Sequence, residues 1–154
     1  MRVHEDRGEG DRLYGWVEKS PSALIVPVDG DQVWMIEQFR HPVGERFWEF
    51  PQGAWEGVSG DPEDLARGEL AEETGLRAGE MKHLGRLHFA YGLTNQFVDI
   101  FRASALVAGE QALETTEEDL VVGTFSVADV DRMVRENEIR DAASVAAWHL
   151  ARGA

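Results

Sequence analysis

Three glutamates at helical spacing are the residues of this chain best suited to chemistry: Glu69, Glu72 and Glu73. Because residues three and four apart lie on one face of an α-helix, their carboxylates share a patch within about 100° of arc. Like charges so placed repel each other unless a cation lies between them. Compact hard oxygen ligands are typical of a Mg²⁺ or Mn²⁺ site, and a solvated acidic face is the alternative interpretation of the cluster taken alone.

The residues around the cluster predict a helix from Pro62 to Thr74. Asp61 suits the N-cap, Pro62 suits the first helical position, and Gly75 suits the left-handed position after the last turn. The three glutamates would then lie at the centre and end of the helix, where the helix dipole does not favour acids. Helix stability therefore does not explain them, which favours the metal-binding interpretation.

A short apolar strand end and a glycine loop precede this helix, from Glu49 to Gly57. Together, the strand, the loop and the helix resemble the Nudix box, whose pattern is G-x5-E-x7-R-E-U-x-E-E-x-G-U with U an aliphatic residue. Six residues match the end of that pattern in full: Glu69, Leu70, Glu72, Glu73, Gly75 and Leu76. The resemblance implies a Nudix-type α/β/α sandwich with a mixed β-sheet. It also implies metal ligands, namely Glu69, Glu72, Glu73 and the backbone carbonyl of Gln52.

Two departures from the box bear on activity. The first glutamate position of the pattern falls on Ser59 or Gly60, so that acid is missing. Gly68 stands where the family has an arginine that helps to orient the metal-binding glutamates, and Arg67 lies about 100° away around the helix. We expect the fold and the metal site to survive these changes and the activity to be weak.

The residues before the box resemble the ADP-ribose pyrophosphatase branch of the family. The resemblance lies in Glu-Gln-x-Arg ending at Arg40 and in Trp-x-x-Pro-x-Gly beginning at Trp48. In that branch the equivalent arginine contacts substrate phosphate, a role for which a guanidinium is chemically suited. Trp48, or an N-terminal aromatic residue of a partner subunit, is a candidate for stacking on the base. The candidate substrate-binding residues are Arg40, Trp48, Glu49 and Gln96, the last standing where the branch usually has a glutamate.

An acidic segment from Glu114 to Leu120 follows the strands after the box. Taken alone, it is typical of a solvated loop. In the resembling enzymes a Glu-Asp-aliphatic step here supplies a further acid to the metals or to the attacking water, which corresponds to Glu118. The catalytic candidates are therefore Glu72, Glu73 and Glu118.

Alternating apolar residues and turn signals predict five strands and two further helices. The strands are Leu13 to Val17, Ser22 to Val28, Gln32 to Phe39, Lys82 to Phe89 and Gln96 to Val107, and the helices run from Ser126 to Arg135 and from Asp141 to Leu150. Residues 1–12 are polar and glycine-rich, and we expect them to be loosely ordered. Residues 13–154 are expected to form one Nudix domain.

Composition limits the class of protein further. The chain has 154 residues, is 43% hydrophobic and contains no cysteine, which suits one globular domain and excludes disulfides and thiolate metal sites. The formal net charge of −14 argues against a general affinity for nucleic-acid or membrane phosphates. With no signal-like or membrane-spanning run, we expect a cytoplasmic protein.

The leading hypothesis is metal-dependent hydrolysis of the diphosphate of a nucleoside diphosphate sugar such as ADP-ribose. The products would be a nucleoside monophosphate and a sugar phosphate. One alternative is another Nudix substrate, such as a dinucleoside polyphosphate or an oxidised nucleoside triphosphate, against which the Gln38-x-Arg40 element argues. The other is a weakly active nucleotide-binding module, which Gly68 favours and the retained glutamates oppose. The resemblance also implies a homodimer in which the region from Leu13 to Val17 packs on its neighbour.

Overall fold

The computed structural model describes residues 1–55, 60–111 and 119–153. Within these ranges the chain forms nine strands, three α-helices and a short 3₁₀ turn at Glu9–Asp11. The strands are β1 (Arg2–Arg7), β2 (Leu13–Glu18), β3 (Ser22–Asp29), β4 (Gln32–Arg40), β5 (Glu45–Glu49), β6 (Gln52–Ala54), β7 (Leu76–His88), β8 (Phe97–Ala108) and β9 (Val121–Ser126). The helices are α1 (Pro62–Thr74), α2 (Val127–Arg135) and α3 (Ala142–Arg152). None of these helices is long and apolar enough to cross a membrane.

The main sheet has the strand order β5-β4-β3-β8-β7, with β6 paired to β3 and β9 paired to β4. Strands β3 and β8 are parallel, from Ser22 opposite Val98 to Pro27 opposite Ala103. The other pairings described for this sheet are antiparallel. The predicted mixed sheet is therefore confirmed.

Strand β3 lies at the centre of the sheet and is buried on both faces. Its side chains alternate between the faces because successive residues of a strand point in opposite directions. Leu24 and Val26 belong to a core cluster with Trp148 of α3, whereas Ile25 belongs to a second cluster with Leu70 of α1. The sheet thus carries helices on both faces, which confirms the predicted α/β/α sandwich.

Helix α1 begins and ends where the sequence predicts. The Asp61 side chain accepts a hydrogen bond of 2.9 Å from the backbone N–H of Glu63. Gly75 has φ of 70°, a left-handed conformation that costs glycine little, and its N–H bonds to the carbonyl of Ala71. These caps fix the position of every glutamate on the helix.

The N-terminal residues form a hairpin. Residues 1–12, expected to be loosely ordered, contain β1, which pairs with β2 in a separate two-stranded sheet. The expectation was wrong because β1 is mostly polar and shows no apolar strand pattern. Its His4 and Asp6 contact the Trp16 ring and indole N–H instead of an apolar core. The hairpin is attached to the sandwich by a 2.8 Å hydrogen bond from the Val17 N–H to the Leu93 carbonyl.

Candidate active site

The Glu73 side chain points from α1 onto β6. It is 1% exposed, and its Oε2 accepts a 2.9 Å hydrogen bond from the backbone N–H of Gln52. Strand β6 is held in place by pairing with β3, with Gln52 opposite Leu24, and by a bond from the Ile25 N–H to the Pro51 carbonyl. The end of the acidic helix is therefore joined directly to the strand whose carbonyl is the other predicted ligand.

Glu69 approaches the next residue of the same strand. A Cβ atom at position 53 would lie 2.0 Å from Glu69 Oε1, so the carboxylate occupies the space that any side chain larger than glycine would need. Gly53 is thus required for close approach. Glu69 and Glu73, one helical turn apart, both reach the backbone of Gln52 and Gly53.

Glu72 is exposed on the solvent side of α1. A Cβ atom at position 68 would have Glu72 Oε1 as its near neighbour, at 3.9 Å, so space is open beside Gly68. Among residues 1–55, 60–111 and 119–153, no three histidine, cysteine, aspartate or glutamate side chains lie together as a ready-made metal cluster. Two carboxylates and a backbone carbonyl nevertheless fit a hard divalent cation that keeps several waters.

Arg67 does not replace the arginine missing at position 68. Its Nε and Nη2 donate to Glu63 Oε1 at 3.0 and 2.8 Å, and its Nη1 donates to the Ala78 carbonyl at 2.8 Å. These bonds fasten the first half of α1 to β7. Arg67 therefore makes its hydrogen bonds away from Glu69 and Glu73.

A cleft with a volume of about 560 Å³ opens beside Gln52 and Gly53. Its polar lining includes Lys19, Arg40, Glu49, Gln52, Gln96 and Asp141, and its apolar lining includes Val17, Phe89 and Leu93. Three of the four predicted substrate-binding residues are in this lining. A larger apolar groove of about 900 Å³ lies around α2 and α3, but none of the predicted site residues line it.

Arg40 is held in the cleft by a two-point contact with Glu49. Its Nε donates to Glu49 Oε1 at 2.9 Å, and its Nη2 donates to Glu49 Oε2 at 2.8 Å. Burial raises the pKa of Glu49, and the Arg40 contact opposes that shift. Burial lowers the pKa of Arg40, but its bonds to Glu49 outweigh this and raise the pKa overall. Arg40 Nη1 has no hydrogen-bond partner in the described part of the chain, so it is available to an anion.

The Gln52 side chain lies between two carboxylates. Its Nε2 donates to Glu49 Oε2 at 3.0 Å and to Asp141 Oδ2 at 3.2 Å. Sequence reasoning identified Asp141 only as a helix cap and Gln52 only through its carbonyl. Asp141 as a cleft residue was therefore missed, because an aspartate at the start of a helix is already explained by capping.

Gln96 and Trp48, both predicted to bind substrate, have different surroundings. Gln96 is buried in the cleft lining, where its Nε2 donates to the Ser20 carbonyl at 3.1 Å. The Trp48 ring instead contacts Phe125 edge to face at 4.9 Å and covers Gly123. Trp48 is absent from the cleft lining and packs against the core cluster.

Glu118, the remaining catalytic candidate, lies outside the described residues, as does Ser59. Described residues on either side of its segment make hydrogen bonds to the sandwich. Gln111 Nε2 donates to the backbone carbonyl of Glu73 at 2.5 Å. Asp119 accepts hydrogen bonds from Arg46 on its side chain at 2.6 Å and on its carbonyl at 2.9 Å.

Residues 18–148 match the NUDIX domain family. The chain belongs to the Nudix family. Nudix hydrolases generally use divalent metals, in keeping with the hard oxygen donors at the junction of α1 and β6. The match extends from β2 to α3 and so includes the cleft as well as the acidic helix.

Two relatives of this Nudix protein are described as ADP-ribose pyrophosphatases. The one from Mycobacterium tuberculosis is 32% identical over 126 residues, covering 80% of this chain and 60% of the relative. The one from Bacillus subtilis is 30% identical over 129 residues, covering 82% of this chain and 69% of the relative. The chain thus spans about 60% of the length of the mycobacterial relative. These similarities identify a Nudix protein related to ADP-ribose pyrophosphatases.

The fold is also similar to a crystal structure described as an ADP compounds hydrolase. The TM-score is 0.82, with 98% of this chain and 83% of that chain covered. The sequence identity is 21%, so this likeness concerns the fold.

Proposed function

We propose that this protein hydrolyses the diphosphate of a nucleoside diphosphate sugar such as ADP-ribose, using Mg²⁺ or Mn²⁺. One observation carries the proposal. Glu69 and Glu73 contact the Gln52–Gly53 backbone at the edge of the cleft. The cleft also contains Arg40, whose Nη1 has no hydrogen-bond partner among the described residues. An anion-binding group therefore lies next to a set of hard oxygen donors. The two ADP-ribose pyrophosphatase relatives support the same substrate class.

The reaction adds water across a phosphate–oxygen–phosphate bridge. The oxygen of water bonds to one phosphorus, and the bridging oxygen leaves with the other phosphate, giving a nucleoside monophosphate and a sugar phosphate. A diphosphate resists this attack because its negative oxygens repel hydroxide. A divalent cation supplies charge neutralisation and activation of the water.

The protein's own groups have separate roles in this proposal. Glu69, Glu73 and the Gln52 carbonyl hold the cation, with Glu72 available from the solvent side of α1. Arg40 binds the diphosphate through the guanidinium edge that Glu49 leaves open, and its two bonds to Glu49 keep that edge oriented. Glu118 orients or deprotonates the attacking water.

The size and lining of the cleft suit the rest of such a substrate. A volume of about 560 Å³ lies inside the range of roughly 300–1,000 Å³ that is common for small-molecule sites. Phe89 and Leu93 offer apolar contact, while Gln96 and Lys19 offer polar groups for hydroxyls or a second phosphate. Gln96 in place of a glutamate keeps hydrogen bonding but removes a charge, so the preferred sugar differs from that of enzymes with the acid.

A substrate screen with Mg²⁺ or Mn²⁺ tests the proposal. ADP-ribose and other nucleotide sugars are compared with dinucleoside polyphosphates and oxidised nucleoside triphosphates, and products are separated by chromatography. We expect a nucleoside monophosphate and a sugar phosphate from at least one nucleotide sugar, and none after chelation of the metal. Preferential hydrolysis of a dinucleoside polyphosphate or triphosphate would contradict the substrate class. Binding of nucleotides without turnover would favour the nucleotide-binding alternative.

A further inference from the structure

The turn from Phe50 to Gln52 joins β5 to β6 and carries the site's backbone groups. Phe50 is fully buried, and its backbone N–H donates to Ser144 Oγ on α3 at 2.8 Å. Ser144 is also fully buried. Because a buried N–H without a partner is strongly disfavoured, this hydroxyl fixes where the turn begins.

Ser144 is itself oriented by the residue that caps α3. Its Oγ donates to Asp141 Oδ2 at 2.7 Å, and its backbone N–H donates to the same oxygen at 2.9 Å. The backbone bond is what an N-cap aspartate normally makes. The additional contact of Asp141 Oδ2 with Gln52 Nε2 at 3.2 Å is not required for capping. The start of α3 therefore contacts the turn at both of its ends.

The opposite side of the turn is held by α1 and β3. The Gln52 N–H bonds to Glu73, and the Pro51 carbonyl accepts from the Ile25 N–H at 2.9 Å. The turn is thus fixed between the helix that carries the acids and the helix that begins at Asp141. A shift of α3 at its first turn would move the Gln52 backbone relative to Glu73.

We propose that Ser144 and Asp141 are positioning residues for the metal site: they hold the Phe50–Gln52 turn so that the Gln52 backbone faces Glu69 and Glu73. The inference rests on the proposed metal-dependent hydrolysis. Neither residue is proposed as a metal ligand. Ser144 acts through the Phe50 N–H, and Asp141 acts through Ser144 and the Gln52 side chain. Removing either contact should lower the affinity for the cation. The turnover rate should recover when the cation is in excess.

Mn²⁺ binding in the absence of substrate tests the positioning role. Electron paramagnetic resonance of the free ion measures this binding. Ser144→Ala should weaken Mn²⁺ binding by roughly 10-fold, the lower end of the 10–100-fold effect of residues that orient metal ligands. In turnover assays this variant should require more Mg²⁺ for half-maximal rate and regain most of the wild-type kcat at saturation. Asp141→Asn keeps a preferred N-cap residue and should also weaken Mn²⁺ binding. It provides the test if Ser144→Ala folds poorly.

Ala146→Gly is the matched control, because it weakens the same helix without contacting the turn. Its melting temperature should fall while its Mn²⁺ affinity stays at the wild-type value. Unchanged Mn²⁺ affinity in both Ser144→Ala and Asp141→Asn, or equal weakening in Ala146→Gly, would overturn the positioning role. If the variants differ in Mn²⁺ affinity as expected but the wild type hydrolyses no nucleotide sugar, the positioning role stands and the proposed function is wrong.

Discussion

Glu73 and Gln52 are joined by a 2.9 Å hydrogen bond in which the Gln52 backbone N–H donates to the Glu73 carboxylate. The bond links the last turn of α1 to the first residue of β6. Because Glu73 is almost fully buried, its charge is costly unless nearby groups offset it. A divalent cation at this junction would offset it, which gives a physical reason for an acid at the edge of the core.

Replacing Glu73 by glutamine should remove most of the activity. Glutamine has nearly the same shape and can still accept from the Gln52 N–H, but it loses the anionic ligand. The fall in kcat should exceed the roughly 10–100-fold loss typical of groups that only orient a ligand. Thermal unfolding should be unchanged or shifted upward, since a buried charge disappears. Near wild-type kcat for Glu73→Gln at saturating Mg²⁺ would mean that Glu73 is not a metal ligand.

Restoring the family's arginine by Gly68→Arg should raise both stability and turnover. Glycine inside a helix costs up to about 1 kcal/mol relative to alanine, and arginine is a good helix former. For a domain of this size, that gain corresponds to a rise in Tm of roughly 2–4 °C. The open space beside Gly68 admits a side chain, and residue 68 lies four positions before Glu72.

Gly68→Ala separates the two effects, because it supplies the helix gain without the charge. We expect both variants to melt higher than the wild type and only Gly68→Arg to turn over faster. Equal kcat in the two variants would show that the arginine has no orienting role here. A lower kcat in both would show that the open space itself is needed.

Arg40→Lys should weaken substrate binding while keeping the positive charge. Lysine cannot bond to both Glu49 oxygens and still present a fixed donor to the cleft. Loss of one charge-assisted hydrogen bond of about 1.5–3 kcal/mol corresponds to a roughly 10- to 150-fold fall in kcat/KM. In steady-state kinetics, most of this fall in kcat/KM should come from a higher KM. Arg132→Lys is the control, because Arg132 of α2 pairs at the surface with Glu136 and Glu138, which follow that helix. An equal loss of kcat/KM in this variant would exclude a specific role for Arg40.

The N-terminal hairpin should mediate a homodimer. Val3 and Leu13 lie on one face of it and are 78% and 56% exposed. Light scattering at micromolar concentration should give the mass of two chains, and Leu13→Lys should shift the protein toward monomer. Val107→Lys, which changes another exposed apolar residue on β8, should leave the mass unchanged. A monomeric wild type would contradict the prediction.

Asp99→Asn should destabilise the protein in a pH-dependent way. Burial raises the pKa of Asp99, but hydrogen bonds from Arg86 and His83 outweigh it, so the pKa lies below its usual value of 3.8. The ionised group therefore contributes stability above pH 3.8, and the contribution is lost as the pH falls through the lower folded value. At neutral pH the cost should be about 1–3 kcal/mol, toward the lower end because Arg86 is half exposed.

Urea unfolding from pH 7 downward measures this difference. The gap between wild type and Asp99→Asn should be widest near neutrality and should close below pH 3.8. A gap that stays constant with pH would show that the loss comes from packing and not from the charge.

The features predictable from the sequence were those set by neighbouring residues. Asp61, Gly75 and the glutamate spacing fix α1 within one segment, so its bounds and its acidic face could be read directly. By contrast, the contact between Gln52 and Asp141 joins distant segments and leaves no periodic trace. It depends on how α3 packs against the sheet, which local spacing does not record.

Two further differences show where residue type alone is ambiguous. Trp48 suits both base stacking and core packing, and only the pairing of β4 with both β5 and β9 brings it onto Gly123 and Phe125. Strand β7 begins at Leu76 and not at Lys82, because backbone pairing with β8 extends it through a mostly exposed stretch. Cross-strand hydrogen bonds, in which every residue except proline can both donate and accept, set its length.

The parallel pairing of β3 with β8 also governs when the site can form during folding. These strands are far apart in the chain, and β6 and α1 both lie in the loop that their pairing closes. Non-local closure of this kind is slow because loop entropy is lost before the contacts compensate for it. An early species with α1 formed but β3, β6 and β8 not yet assembled would lack the Gln52–Gly53 backbone beside its glutamates, so cation binding should appear only once this part of the sheet has formed.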